Sequence, residues 1–243
     1  MVFYDYREYS EMKKLITFSL WGGDSFYTTG AYRNVELAKE IYPDWICRFY
    51  VAGKNTPQEV IDKLKSYDNT EVVVMDEEGT PNSMMWRFTA CDDDDVELFI
   101  SRDTDSRLSM REKEAVDEWI ESGKNFHIMR DHPYHVAAIM GGMWGMRKGA
   151  VKGMKNLIKN FISSGYHADM KGVDQAFLRG LIWPIAISDN LTHDPFFTEN
   201  APFPTSERDS GAMVYFVGEA VREDDGLWSQ TDRDALDRKE NGN

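Results

Sequence analysis

Cysteine is almost missing from this chain. Its 243 residues include two, Cys47 and Cys91, too few for a disulfide framework, and no Cys-x-x-Cys spacing is present for zinc. Both read as small buried hydrophobes, which suits a reducing cytosol. Long apolar runs are also lacking, so no membrane span is expected. The N-terminus Met1-Val-Phe-Tyr-Asp-Tyr-Arg-Glu8 is too charged for a signal-peptide core. Positive charge is scarce: 28 Lys plus Arg stand against 42 Asp plus Glu, a net charge of −14. That balance argues against a nucleic-acid partner, which draws on Lys and Arg at phosphates. The expectation is a soluble, cytoplasmic protein.

What is there is enough for a sizeable core, with 42% hydrophobic and 13% aromatic residues. Strands are expected over Leu15–Leu20, Ile46–Val51, Val72–Met75, Val96–Ile100 and Phe126–Met129. Helices are expected between them. Val35, Ala38 and Ile41 share a face from about Ala31, Thr56-Pro57-Gln58-Glu59 is a helix start, and Ser109-Met-Arg-Glu112 is a capping box closed by Gly123. Val151, Met154, Leu157, Ile158 and Phe161 mark a long amphipathic helix, and a shorter one runs from Gly172 to before Pro184. One more strand is expected at Met213–Val217. Strands alternating with helices predict an α/β fold, a mostly parallel sheet flanked by helices. Residues 1–13 read as a polar extension, 14–220 as the domain, and 221–243 as a polar, disordered tail.

The most informative stretch is Val96 to Arg107, an apolar run ending in Asp103-Thr-Asp105. Carboxylates at the carboxyl end of a strand lie where open α/β sheets bind ligands. Hard cations such as Mg²⁺ or Mn²⁺ take such oxygen ligands and leave positions open for phosphates. The acidic run Asp92–Asp95 precedes the strand instead and reads as a solvated loop. An EF-hand is excluded, because Arg107 sits where a ligand belongs and Leu108 where the turn needs Gly.

Other segments gather around the pair. Trp21–Gly30 follows the first strand, with Tyr27 able to stack on a base, but it has neither the Gly-x-Gly-x-x-Gly nor the Gly-Lys-Ser/Thr pattern. Arg87, Arg102 and Arg107 offer planar guanidinium groups to diphosphate oxygens. Asp131, with Gly141, Gly142 and Trp144, suggests a sugar pocket; Asp174 and the His193-Asp194 pair could touch sugar hydroxyls, and His193 could complete a metal shell. Zinc at His127, His132 and His135 matches no standard spacing.

Taken in order, these segments resemble glycosyltransferases of the GT-A type, and more closely the small glycosyltransferase domains of bacteria and of large algal viruses. The resemblance rests on Ser19-Leu-Trp-Gly22, Tyr27 to Asn34, Trp86-Arg-Phe88, Arg102 to Arg107, Arg111-Glu112, Ala115-Val116, Met129 to His135, Gly141 to Gly145, Asp174-Gln175, His193-Asp194 and Phe203-Pro-Thr205. It implies a GT-A-like domain that moves a sugar from a nucleotide-sugar, UDP-linked, to a carbohydrate or other hydroxyl acceptor. It further implies Mn²⁺ or Mg²⁺ on Asp103, Asp105 and His193. Trp21, Tyr27, Arg87, Arg102, Gly141 and Gly142 would bind the donor, and Asp131 and Asp174 would be catalytic. Pro195 departs from the family pattern, in which Ser or Thr often follows the His-Asp pair. The alternatives are a nucleotidyltransferase that makes nucleotide-sugars, disfavoured because Ser19–Gly30 holds no Lys or Arg, and a non-catalytic nucleotide-sugar-binding module.

Overall fold

Residues Lys13–Leu20 form strand β1, in which Leu15 faces one side of the sheet and Ile16, Phe18 and Leu20 the other. This period of two recurs in β4 (Val96–Ser101), where Phe99 opposes Leu98 and Ile100. The computed structural model describes residues 12–165, 170–197, 199–205, 208 and 213–242. With β2 (Ile46–Ala52), β3 (Thr70–Met75), β5 (Phe126–Met129), β6 (Trp144–Arg147) and β7 (Asn190–His193), these strands make a seven-stranded sheet in the order β3-β2-β1-β4-β6-β5-β7. Every pairing is parallel except those of β6, which runs against β4 and β5. The fold is α/β, a mostly parallel sheet flanked by helices. Leu20, Ser101, Met129 and His193 therefore end on one edge, and β6 begins there, Trp144 opposite Ser101 and Ile128.

Helices cover both faces. On one, α1 (Ser25–Ile41), α2 (Gln58–Lys65) and α3 (Met110–Ser122) pack through Val35, Leu64 and Trp119 onto Phe18, Phe49 and Ile100. On the other, the 3₁₀ segment Pro81–Asp92, α4 (Met154–Ser163) and α5 (Val173–Phe177) pack Phe88, Ile158 and Phe177 against Phe99 and Trp144. A π-helical turn, Leu178–Ile182, leads from α5 into α6 (Trp183–Ala186).

Several expectations need correction. Helix α1 starts at Ser25, capped by Asp24, which accepts from the Phe26 N–H; Ser25–Gly30 carries no apolar period to announce it. Helix α2 starts after Pro57, and the Thr56 hydroxyl caps nothing and has no partner. Val151 precedes α4 rather than joining it. Met213–Val217 is not a strand. The tail over 221–243 is not disordered through 242: it forms a hairpin and then helix α7 (Gln230–Glu240). Its apolar anchor is small, with Ala235 and Leu236 buried. Ion pairs of Asp225 with Arg33 and Arg107, of Glu219 with Arg233 and of Glu240 with Arg208 add to it. The expected extension over 1–13 lies largely outside the described residues, and β1 already includes Lys13.

Candidate active site

Asp103 and Asp105 project from the turn that follows β4 at the carboxyl edge of the sheet. Asp103 is half exposed, and Arg87 donates to one of its carboxylate oxygens at 2.5 Å. Arg87 rises from the 3₁₀ segment, is almost fully buried, and donates also to the Arg102 carbonyl at 2.7 Å and to Asp174 at 3.2 Å. One guanidinium thus joins the loop after β4 to the first turn of α5. Burial opposes its charge, but Asp103 and Asp174 overcome that and raise its pKa. Burial pushes Asp105 up to about 6, and the neighbouring Asp103 charge adds to the push. Burial also raises Asp174, against the pull of Arg87.

Gly141 and Gly142 lie against these carboxylates. A Cβ on Gly142 would stand 2.0 Å from Asp103 Oδ2, and one on Gly141 would stand 2.0 Å from Asp174 Oδ2. No side chain fits at either place, so the two carboxylates pack directly on the glycine backbone. The Gly141 carbonyl is held by the Ser101 hydroxyl at 2.7 Å.

A hard divalent cation suits this donor set. Asp103 is half exposed, Asp105 lies within reach of its charge, and Gly142 lets the Asp103 carboxylate pack against the backbone. Among the described residues no group of three or more His, Cys, Asp or Glu could hold a metal. Two protein carboxylates with the remaining positions left to phosphate and water is the way Mg²⁺ is usually bound.

Trp21, just past β1, packs against Gly79, whose Cβ would meet the Trp21 side chain at 2.1 Å. Tyr27 sits in the first turn of α1, part exposed, and its hydroxyl is raised by burial and then by the charges of Asp105, Asp24 and Asp103. The ring therefore lies in the field of the carboxylate pair.

Four expected residues are placed elsewhere or otherwise engaged. Arg102 points away from the cleft: its buried guanidinium pairs with the buried Glu112 at 3.1 Å and donates to the Ser101 carbonyl. Glu112, expected to close a capping box, spends its carboxylate on Arg102 and the Tyr42 hydroxyl instead. His193 is separated from the Asp pair by β6 and β5, about 14 Å at ordinary strand spacing. Its two ring nitrogens are engaged, one with His127 at 2.9 Å and the other with Glu118 at 3.2 Å. It cannot complete a metal shell with Asp103 and Asp105. Trp144 is no sugar platform; it is fully buried between Phe88 and Phe99.

Asp131 also departs from its expected role. Both carboxylate oxygens accept from Arg111 and Arg208, and one accepts from the Val217 N–H. Burial alone would raise its pKa, yet the two guanidinium groups hold it below the usual range. A carboxylate so occupied is an anchor, not a base. Arg208 carries no motif that could have announced this role, whereas Arg111 stood among the segments of the resemblance.

No family model matches the chain, and no curated protein matches it at a significant level. Solved structures do. The chain is similar to a glycosyltransferase involved in the glycosylation of the major capsid of PBCV-1, at 16% identity and a TM-score of 0.48 over 76% of this chain and 83% of that one. It is similar to 4-diphosphocytidyl-2C-methyl-D-erythritol synthase from Anaerococcus prevotii, at 11% identity and a TM-score of 0.44 over 70% and 84%. It is similar to residues 1–349 of S. aureus TarS, at 10% identity and a TM-score of 0.45, covering 78% of this chain and only 59% of that one. Likeness at this level decides neither reaction nor substrate.

Proposed function

We propose that the protein is a metal-dependent glycosyltransferase, moving a sugar from a UDP-linked nucleotide-sugar to the hydroxyl of a carbohydrate or other acceptor. The observation that carries this reading is the Arg87 bridge between Asp103 and Asp174, with Gly141 and Gly142 letting those two carboxylates pack against the backbone. Asp103 and Asp105 would hold Mn²⁺ or Mg²⁺, which supplies positive charge to the leaving diphosphate. Arg87 keeps Asp103 aimed at the cleft. Asp174, seated against Gly141, would meet the donor sugar's hydroxyls. Trp21 supports the nucleotide. Asp131, bound by two arginines, holds the surrounding loops in place.

The reading is tested by incubating the protein with a panel of UDP-sugars and Mn²⁺ and measuring released UDP. Release is expected from at least one donor, abolished by EDTA and by Asp103→Asn. No metal-dependent release from any donor overturns it.

A further inference from the structure

Two elements meet at the loop that carries Asp103 and Asp105. Helix α1 grips it from one side: Asn34 donates to the Ser106 carbonyl at 2.9 Å and accepts from the Leu108 N–H at 3.0 Å. Gly30 lets the helix press closely, since a Cβ there would fall 1.8 Å from the Thr104 carbonyl oxygen. From the other side comes a hairpin of the carboxyl-terminal segment, closed by the Val221–Leu227 bridge, with the Arg222 N–H donating to the Gly226 carbonyl and the Asp225 N–H to the Arg222 carbonyl. The Val221 N–H donates to the Asp105 carbonyl at 2.8 Å, and Ser106 pairs with Ala220.

Asp225 sits at the crossing. It is the one non-glycine residue with positive φ among the described residues, at 59°, a conformation Asp tolerates better than most. One carboxylate oxygen accepts from Arg107 at 3.1 Å and the other from Arg33 of α1 at 2.8 and 2.5 Å. Arg107 is fully buried, and among the described residues Asp225 is its only carboxylate partner. Its remaining donors reach the carbonyls of Thr104, Ser106 and Arg222. The guanidinium thus collects the backbone of the loop, and Asp225 supplies the charge that keeps it there. The outer end of the hairpin is fixed to α1 by the Ser25–Glu223 hydrogen bond and by Trp228 packing on Phe26, with ring centroids 4.8 Å apart.

We propose that Asp225 is a positioning residue for the metal-binding loop, so that the carboxyl-terminal hairpin is a working part of the site. The proposal rests on the reading that Asp103 and Asp105 bind a divalent cation. Without Asp225, Arg107 loses its ion-pair partner, the carbonyls it gathers are released, and Asp105 loses the backbone geometry from which it ligates.

The test is Mn²⁺ binding in the presence of UDP, followed by the electron paramagnetic resonance signal of free Mn²⁺, with no turnover involved. Asp225→Asn keeps the shape and the tolerance of positive φ while removing the charge, and is expected to weaken Mn²⁺ binding about tenfold. Arg33→Gln, which removes only the outer grip, should weaken it less. Asp237→Asn is the control: it sits on α7 and accepts from Tyr215, which precedes the hairpin, and it makes no bond to the loop, so it should lower the melting temperature without changing Mn²⁺ affinity. Should Asp225→Asn fail to fold, Arg33→Gln carries the test alone. Wild-type protein that does not deplete free Mn²⁺ removes the metal reading and the proposal together. Wild-type binding with Asp225→Asn unchanged, or with Asp237→Asn weakened equally, overturns the positioning role while leaving the metal reading intact.

Discussion

Arg87 donates to Asp103 across 2.5 Å from a guanidinium that solvent scarcely reaches. The same group is the cation beside Asp174, itself buried. Removing it strands the charge of the buried Asp174, while the half-exposed Asp103 keeps water; breaking a buried pair by deleting one partner typically costs about 3–5 kcal/mol. Arg87→Gln should therefore lower stability by several kcal/mol in urea unfolding, and Arg87→Gln/Asp174→Asn should recover part of that loss. A double variant no more stable than Arg87→Gln alone would mean that Asp174 does not depend on this arginine.

The Asp pair can be separated from the other acidic residues of the chain. Asp103→Asn and Asp105→Asn preserve shape while removing the charge that holds a hard cation. Each should cost about 10²–10³ in transfer rate, on the order of 3–4 kcal/mol, by analogy with deleting one preorganised electrostatic group. Apo melting temperature should stay level or rise for Asp105→Asn, because Asp103 and burial already disfavour that charge. Asp94 is exposed and precedes the strand, so Asp94→Asn should match wild type. Asp93 would be a poor control, since it pairs with the buried Arg48 at 2.5 Å. Full activity in Asp103→Asn would show that the cation is held by other carboxylates.

The strand-end carboxylates were legible because an apolar run and its terminus can be read without a partner. The same alternation explains the error at Arg102. Successive strand residues point to opposite faces, so a residue next to Asp103 faces the helix layer rather than the cleft. His193 was misplaced because sheet order is a property of long-range pairing; nothing local reveals that two strands lie between it and Asp103. Strand β6, Trp-Gly-Met-Arg, has no period of two and contains a glycine, and β7 is only four residues long. Helix α7 was unreadable for another reason. It buries just Ala235 and Leu236, and the ion pairs that dock the tail join residues far apart in the chain.

The two buried histidines predict an acid sensitivity unrelated to the site. His127 is fully buried, and its burial, then the neighbouring His193, hold its pKa well below the ordinary value near 6.5. His193 is lowered too, by burial that outweighs the pull of Glu118. For a histidine held neutral in the fold, the unfolded chain binds the proton first, so stability is full above about pH 6.5 and falls as pH drops below it. For His127 alone the loss at pH 5.5 should be on the order of 1 kcal/mol. Urea unfolding at pH 7.5 and 5.5 checks this, and His127→Gln should shrink the difference. A stability that rises on acidification over this interval, or a difference unchanged in His127→Gln, would refute the assignment.

Gly142 gives the sharpest steric test of the cleft. A single methyl there would stand 2.0 Å from Asp103 Oδ2 and 2.4 Å from its carboxyl carbon, closer than any real contact allows. Asp103 is half exposed and can swing away, so the fold should survive, and Gly142→Ala should melt within a few degrees of wild type. The displaced carboxylate, however, can no longer face the same point as Asp105. A diphosphate brought to the cleft without a bridging cation meets uncompensated negative charge. Calorimetry with UDP should therefore show Mn²⁺-dependent affinity in wild type, weak binding in EDTA, and binding in Gly142→Ala close to the EDTA value even with Mn²⁺ present. Gly149→Ala supplies the contrast: its added Cβ meets nothing within 4 Å, although its φ of 82° strains any side chain. It should lower stability and leave UDP affinity alone. If Gly142→Ala binds UDP with Mn²⁺ as wild type does, the space before Asp103 is not where the cation sits.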